Sequence, residues 1–156
     1  MMSTILYLGS DHAGFELKEM IKRWLTKKKV LFEDLGNTKL DFNDDYPDFA
    51  ARVAKRVVKE KTQGILLCGS AEGMCIAANK IKGARAVNPH GLIQTGLARQ
   101  HEDANILCLA GGHSKAPQPA IPFKVATQMI EIFLDTDFSA EPRHIRRLTK
   151  IRKLEK

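Results

Sequence analysis

Two short segments of this chain set small residues around groups that can do chemistry. Gly9-Ser10-Asp11-His12-Ala13-Gly14 carries a carboxylate and an imidazole, and Cys68-Gly69-Ser70-Ala71-Glu72-Gly73 carries a thiol and a hydroxyl. The second reads as a strand end, a turn and the start of a helix. A helix N-terminus lowers a thiol pKa and favours the thiolate. A thiolate removes a carbon-bound proton beside a carbonyl as a general base. The N–H groups of the following turn can hold the oxyanion that forms, and Ser70 adds a hydroxyl. Taken alone, Cys68 is equally well explained as a buried cysteine at a strand end. Asp11-His12 has a plain reading too, a turn aspartate capping the next helix beside a surface histidine.

A third segment, Arg143-His144-Ile145-Arg146-Arg147, puts Arg143 and Arg147 one turn apart on a helix. Two guanidinium groups so placed can bind a phosphate, though an isolated pair of this spacing is more often an ordinary basic surface. Other motifs fail on inspection. Gly9 to Gly14 has P-loop glycine spacing, but Phe15 stands where lysine is required, and there is no G-x-G-x-x-G. Asp41-x-Asn43-x-Asp45 opens like a calcium loop, but Tyr46 and Arg52 occupy the glycine and glutamate positions. The histidines (His12, His90, His101, His113, His144) are dispersed, and Cys68, Cys75 and Cys108 form no C-x-x-C pair. Neither pattern indicates a metal site, and the odd cysteine count argues against a disulfide framework.

Short apolar runs alternate with amphipathic segments along the chain. Strands are expected at Thr4–Leu8, Val30–Phe32, Gly64–Leu67, Arg85–Val87 and Asn105–Leu109. Helices are expected at Phe15–Lys28, from Pro47 to about Glu60, Met74–Lys80, Gly91–Gln100, Phe123–Leu134 and after Pro142. This alternation predicts an α/β fold with a five-stranded parallel sheet between helical layers, a Rossmann-like three-layer sandwich. No repeat or linker divides it, so residues 1–156 are read as one domain, with 140–156 a basic C-terminal helix. In such sheets ligands bind beyond the carboxyl ends of the strands, where strand order reverses. For an order 2-1-3-4-5 that crevice lies between strands one and three, where the Asp11 and Cys68 turns both emerge.

Composition sets the outer bounds. The 156 residues are 44% hydrophobic and 28% charged, which is ordinary for a globular protein. No apolar run is long enough to span a membrane. The start lacks the pattern of a signal peptide, so a cytoplasmic location is expected. The net charge of +7 sits largely in Lys27-Lys28-Lys29 and in the tail from Arg143. Basic tails can bind nucleic acid, but this one lacks interleaved aromatic residues, so no nucleic-acid or membrane partner is expected.

Taken together, the segments resemble a known family, the type B ribose-5-phosphate isomerases and the related galactose-6-phosphate isomerase subunits. The markers are the Gly9–Gly14 turn, Asp45-Tyr46-Pro47, Cys68-Gly69-Ser70, Ala77-Ala78-Asn79-Lys80, Gly83-Ala84-Arg85-Ala86, Ala98-Arg99-Gln100-His101 and Arg143 to Arg147. The resemblance implies a cofactor-free aldose–ketose isomerase of a phosphorylated sugar, assembled as a homodimer or a dimer of dimers. It implies that Cys68 shuttles a proton between C2 and C1 through an enediolate. Ser70 and the backbone from Gly69 through Ala71, Glu72 and Gly73 to Met74 would stabilise that enediolate. His101 with Asp11 would open the sugar ring, and His12, Arg143 and Arg147 would hold the phosphate.

The chain departs from the family pattern at Ala71, where glycine is usual, and at Glu102, where an asparagine faces the substrate. An arginine usual near Gly112 or His113 is also missing. The alternatives are a hexose 6-phosphate substrate such as galactose or allose 6-phosphate, or a silent sugar-phosphate-binding relative. His101 precedes strand five and Cys68 follows strand three, so the two are expected at opposite ends of the sheet, with a partner chain supplying His101.

Overall fold

The computed structural model describes residues 5–112 and 119–155. Its elements run β1 (Leu6–Ser10), α1 (Phe15–Lys27), β2 (Phe32–Asp34), α2 (Tyr46–Glu60), β3 (Gly64–Cys68) and α3 (Glu72–Ala78). Then follow β4 (Ala86–Val87), α4 (Leu92–Glu102), β5 (Ile106–Ala110), α5 (Phe123–Asp135) and α6 (Pro142–Arg152). Thr4, His113 and residues 114–118 of the proline-bearing stretch lie outside the described residues.

All five strands are parallel. Strand alternation sorts the core into two layers. Leu6, Leu8, Ile65, Leu67, Leu107 and Leu109 face Leu17 and Ile21 of α1 and Met129, Ile130 and Phe133 of α5. Tyr7, Leu66, Cys68, Ile106 and Cys108 face Phe49, Val53 and Val57 of α2 and Met74 and Ala78 of α3. The three-layer sandwich is therefore as expected.

The strand order is β2-β1-β3-β5-β4, not 2-1-3-4-5. β4 is only two residues long and pairs on one side, so it serves as an edge. The apolar β5 makes a five-residue ladder with β3, from Gly64↔Ile106 to Cys68↔Ala110, and takes the inner place. The reversal beside β1 survives this correction, because β1 still has β2 on one flank and β3 on the other. β2 also starts later than expected. The Val30 N–H closes back on Leu25 O at 3.0 Å, and pairing begins at Leu6↔Phe32.

α6 packs against α4 with His144 buried, but Ile145, Ile151 and Leu154 remain exposed, as do Ile93 and Leu97 of α4. No helix among the described residues is long and apolar enough to cross a membrane.

Candidate active site

Loops leaving the carboxyl ends of β1, β3 and β5 close on one another. Asp11 N–H donates to Leu67 O (3.3 Å), Gly111 N–H to Cys68 O (2.7 Å) and Gly112 N–H to Gly69 O (3.0 Å). A Cβ on Gly14 would sit 2.4 Å from Leu67 O, so the loop reaches β3 only because residue 14 has no side chain.

Cys68 ends β3 and is 4% exposed. Burial pushes its thiol above the ordinary value, and the nearby Asp11 charge adds to this. The nearby amides of Met74, Ala71 and Ser70 pull the other way, without winning. The expected lowering of the thiol is therefore corrected. α3 has seven residues, and its first amides do not offset the loss of water around the sulfur.

Ala71 sits in the left-handed region at φ 72°, with its methyl fully buried. That conformation costs an L-residue about 1–2 kcal/mol. The Ala71 carbonyl accepts the Cys75 N–H (3.1 Å), so the turn keeps with alanine the shape that glycine adopts freely. Ser70 is exposed, and Glu72 accepts the Asn88 side-chain N–H at 2.9 Å. The Met74 side chain is core, so Met74 enters the site only through its amide. The Tyr46 ring covers the first turn of α3, where a Cβ on Gly73 would meet it at 2.7 Å. Tyr46 was legible only as part of a family marker.

Asp11 is 6% exposed and accepts the Gly14 N–H at 3.0 Å. Gly14 is itself the N-cap of α1, so Asp11 braces the turn before the helix and does not cap it as the plain reading expected. Burial raises its carboxyl, while the Gly14 and Ala13 amides and the His12 charge pull it down. Asp11 and Cys68 thus stand together, and the Asp11 charge makes the Cys68 thiol harder to ionise. His12 is partly exposed, and its Nδ1 lies 2.6 Å from Asp44 Oδ1. Sequence reading missed Asp44. It lies in the loop preceding α2, and nothing in its local spacing ties it to His12. The donor atoms of Asp11, His12 and Asp44 fall within 4.8 Å of one another. Asp44 Oδ1 and Oδ2 and Asp11 Oδ1 are engaged by donors of the protein itself.

The remaining expected residues sit elsewhere. The His101 ring, in the last turn of α4, lies against the His144 ring with centroids 4.4 Å apart. Ser139 Oγ is 2.6 Å from His144 Nδ1, and burial lowers the His144 imidazole below its ordinary value. Arg143 and Arg147 are exposed on α6, and Arg143 pairs with Glu141 at 2.8 Å. The exposed Glu102 carboxylate has no hydrogen-bond or ion-pair partner among the described residues. An open groove of about 530 Å³ between α3 and α4 joins His101 and Glu102 to Glu72, Cys75 and His90, and Cys68 does not line it. The structure therefore gathers Cys68, Gly69, Ser70, Ala71, Gly73, Met74, Asp11 and His12 at one crevice. His101, Glu102, Arg143 and Arg147 lie apart. No hydrogen bond, ion pair or ring contact among the described residues joins the two groups.

These features define a doubly wound α/β protein with a thiol-bearing, amide-lined crevice at its topological switch point. The Ribose/Galactose Isomerase family model matches residues 6–151, and the chain belongs to that family. A probable ribose-5-phosphate isomerase B of Mycoplasma genitalium is 41% identical over 157 residues, covering 99% of this chain and 98% of the relative. A crystal structure of ribose-5-phosphate isomerase B from that organism, with bound ribulose-5-phosphate, superposes with a TM-score of 0.89 at 39% identity, covering 99% and 98% of the two chains. A ribose 5-phosphate isomerase of Thermotoga maritima superposes at 0.86 with 38% identity, covering 96% of this chain and 98% of that one.

Proposed function

We propose that this chain interconverts ribose 5-phosphate and ribulose 5-phosphate, with Cys68 as the base of an enediolate mechanism. It is an intramolecular oxidoreductase, an aldose–ketose isomerase. The observation that carries the mechanism is the buried Cys68 at the carboxyl end of β3, followed directly by the Gly69–Met74 turn whose amides lie near its sulfur. In this reading the thiolate takes the proton from C2 of the open-chain aldose. The electron pair moves to form the C1–C2 double bond, and the former aldehyde oxygen becomes an oxyanion. The Ser70 hydroxyl and the turn amides hold that charge where it develops. The C2 hydroxyl proton passes to O1, the thiol returns its proton to C1, and the O2 oxyanion closes to the carbonyl of the ketose. Asp11, buried beside Cys68, and His101 exchange the protons that open the sugar ring.

The second part of the proposal is that the site is built from two chains of a homodimer, as a dimer or within a tetramer. Its support is the separation of His101, Arg143 and Arg147 from Cys68 within one chain. Exposed Ile93 and Leu97 on α4 and Ile145 and Ile151 on α6 offer apolar surface for a second copy. His12 on one chain and Arg143 and Arg147 on the other would then hold the phosphate. Three cysteines left as free thiols suit a reducing compartment, and the proposed location is the cytoplasm.

The test is an isomerase assay of purified protein over phosphorylated pentoses and hexoses. Ribulose 5-phosphate forming from ribose 5-phosphate is the expected result. Turnover confined to a hexose 6-phosphate would reassign the substrate, and binding without turnover would make the chain a silent relative.

A further inference from the structure

We propose that Asp44 is a positioning residue that fixes the His12 imidazole in the substrate site. The inference rests on the reading of His12 as a phosphate ligand. One oxygen of Asp44, Oδ1, takes both the His12 backbone N–H (3.2 Å) and the ring Nδ1 (2.6 Å). Holding the backbone and the ring through one atom removes most of the torsional freedom of that side chain. With Nδ1 engaged, Nε2 is the ring nitrogen left to meet a ligand. The His12 side chain is 31% exposed and can be reached, whereas that of Asp44 is 5% exposed and cannot act on substrate directly.

Asp44 is itself anchored from behind. Its Oδ2 accepts the Asn37 side-chain N–H at 2.5 Å. The Asn37 carbonyl accepts Lys18 Nζ at 2.8 Å, and Lys18 is fully buried. Lys18 is fixed in turn by Asp34 at 2.5 Å. Burial works against ionisation of Asp34, but Lys18, Lys22 and the Gly36 N–H outweigh it and hold its carboxyl below the ordinary value. A buried lysine with its ion pair thus secures the loop from which Asp44 reaches His12. The Phe42 ring, 5.8 Å from the His12 ring, flanks it on the outer side.

The experiment is a double-mutant cycle of Asp44→Ala and His12→Ala, read as KM for ribose 5-phosphate, kcat, and inhibition by inorganic phosphate. Each single variant should raise KM and the phosphate inhibition constant about tenfold, with a smaller change in kcat. The double variant should match His12→Ala, because Asp44 has nothing to act through once the imidazole is gone. Asp44→Asn keeps the shape of the loop and an acceptor oxygen. It should raise KM only about threefold, and only when His12 is present. Full additivity would show that Asp44 merely holds the loop and would overturn the inference. So would an unchanged KM in Asp44→Ala beside a raised KM in His12→Ala. An unchanged KM in His12→Ala would instead remove the phosphate role from His12, and the inference with it.

Discussion

The crevice at Cys68 and the α4–α6 edge differ in how much of their chemistry one chain completes. At the crevice Asp11, His12 and the loop amides all have partners within the chain, although Ser10 Oγ is buried without one among the described residues. Asp11 accepts the Gly14 N–H, His12 is held by Asp44, and loop amides close on Cys68 and Gly69 carbonyls. At the edge Arg143 pairs with the neighbouring Glu141 and His144 with Ser139, but the other groups are uncommitted. Glu102 is free among the described residues, Arg147 is exposed, and His101 rests on His144 alone among aromatic contacts. Large apolar side chains such as Ile93 stand in solvent beside them. Preorganised donors speed a reaction because they need not move as charge develops. The crevice has that character in the single chain, and in the proposed dimer the edge gains it only on assembly.

The sharpest way to break this contrast is to remove the thiol. Cys68→Ala should lower kcat by about a thousandfold or more, in line with loss of a general base. Inhibition by inorganic phosphate should stay within about twofold, because the phosphate groups are left intact. The pH dependence gives the companion test. The thiol lies above its ordinary value, so the thiolate becomes populated only as pH rises, and kcat/KM should climb through and above neutrality. Part of that elevation comes from the Asp11 charge, so Asp11→Asn should let iodoacetamide modify Cys68 faster at a fixed pH. Unchanged turnover in folded Cys68→Ala, or slower alkylation in Asp11→Asn, would end this account of the crevice.

The next effect separates the two regions onto two chains. Cys68→Ala and His101→Ala proteins should each be inactive alone. After subunit exchange, half the dimers are mixed, and one of their two sites has neither substitution. About a quarter of wild-type activity should therefore return. A fully active monomer, measured by scattering at assay concentration, would refute the shared site.

Sequence alone carried the crevice further than the edge, for a physical reason. The Asp11 and Cys68 turns are local motifs at strand ends, and parallel α/β topology places strand ends together. Asp44 was invisible because its partner lies 32 residues away, with α1 and β2 between them. Strand order was misread because a two-residue β4 carries too little pattern to show that it is an edge. The thiol was misread because a helix start can be seen in sequence, whereas the depth of burial that outweighs it cannot. Lys18 carries no local signal that sets it apart from the other charges of α1, yet it is fully buried against Asp34.

The smallest expected effect concerns Glu102, which tests whether the edge was retuned in this chain. The family resemblance places this side chain beside His101, near the sugar, where an asparagine amide is usual. An amide donates a hydrogen bond to a substrate oxygen, and an ionised carboxylate only accepts one. Negative charge near an enediolate raises the barrier unless something neutralises it. Arg99, the nearest cation in sequence, is committed to Asp103 at 2.9 Å and to Ala104 O at 2.6 Å, so it does not neutralise Glu102 within the chain. The carboxylate is therefore left to a substrate hydroxyl or to a partner chain. Ribose 5-phosphate should accordingly be turned over weakly, and Glu102→Asn should raise kcat/KM by about three- to tenfold. If Glu102 instead accepts a hydroxyl of a longer sugar, the same substitution should weaken turnover of a hexose 6-phosphate. Efficient wild-type turnover of ribose 5-phosphate with no gain in Glu102→Asn would show that the edge works equally well with either side chain. The contrast between the two regions would then be one of assembly only, and not of specificity.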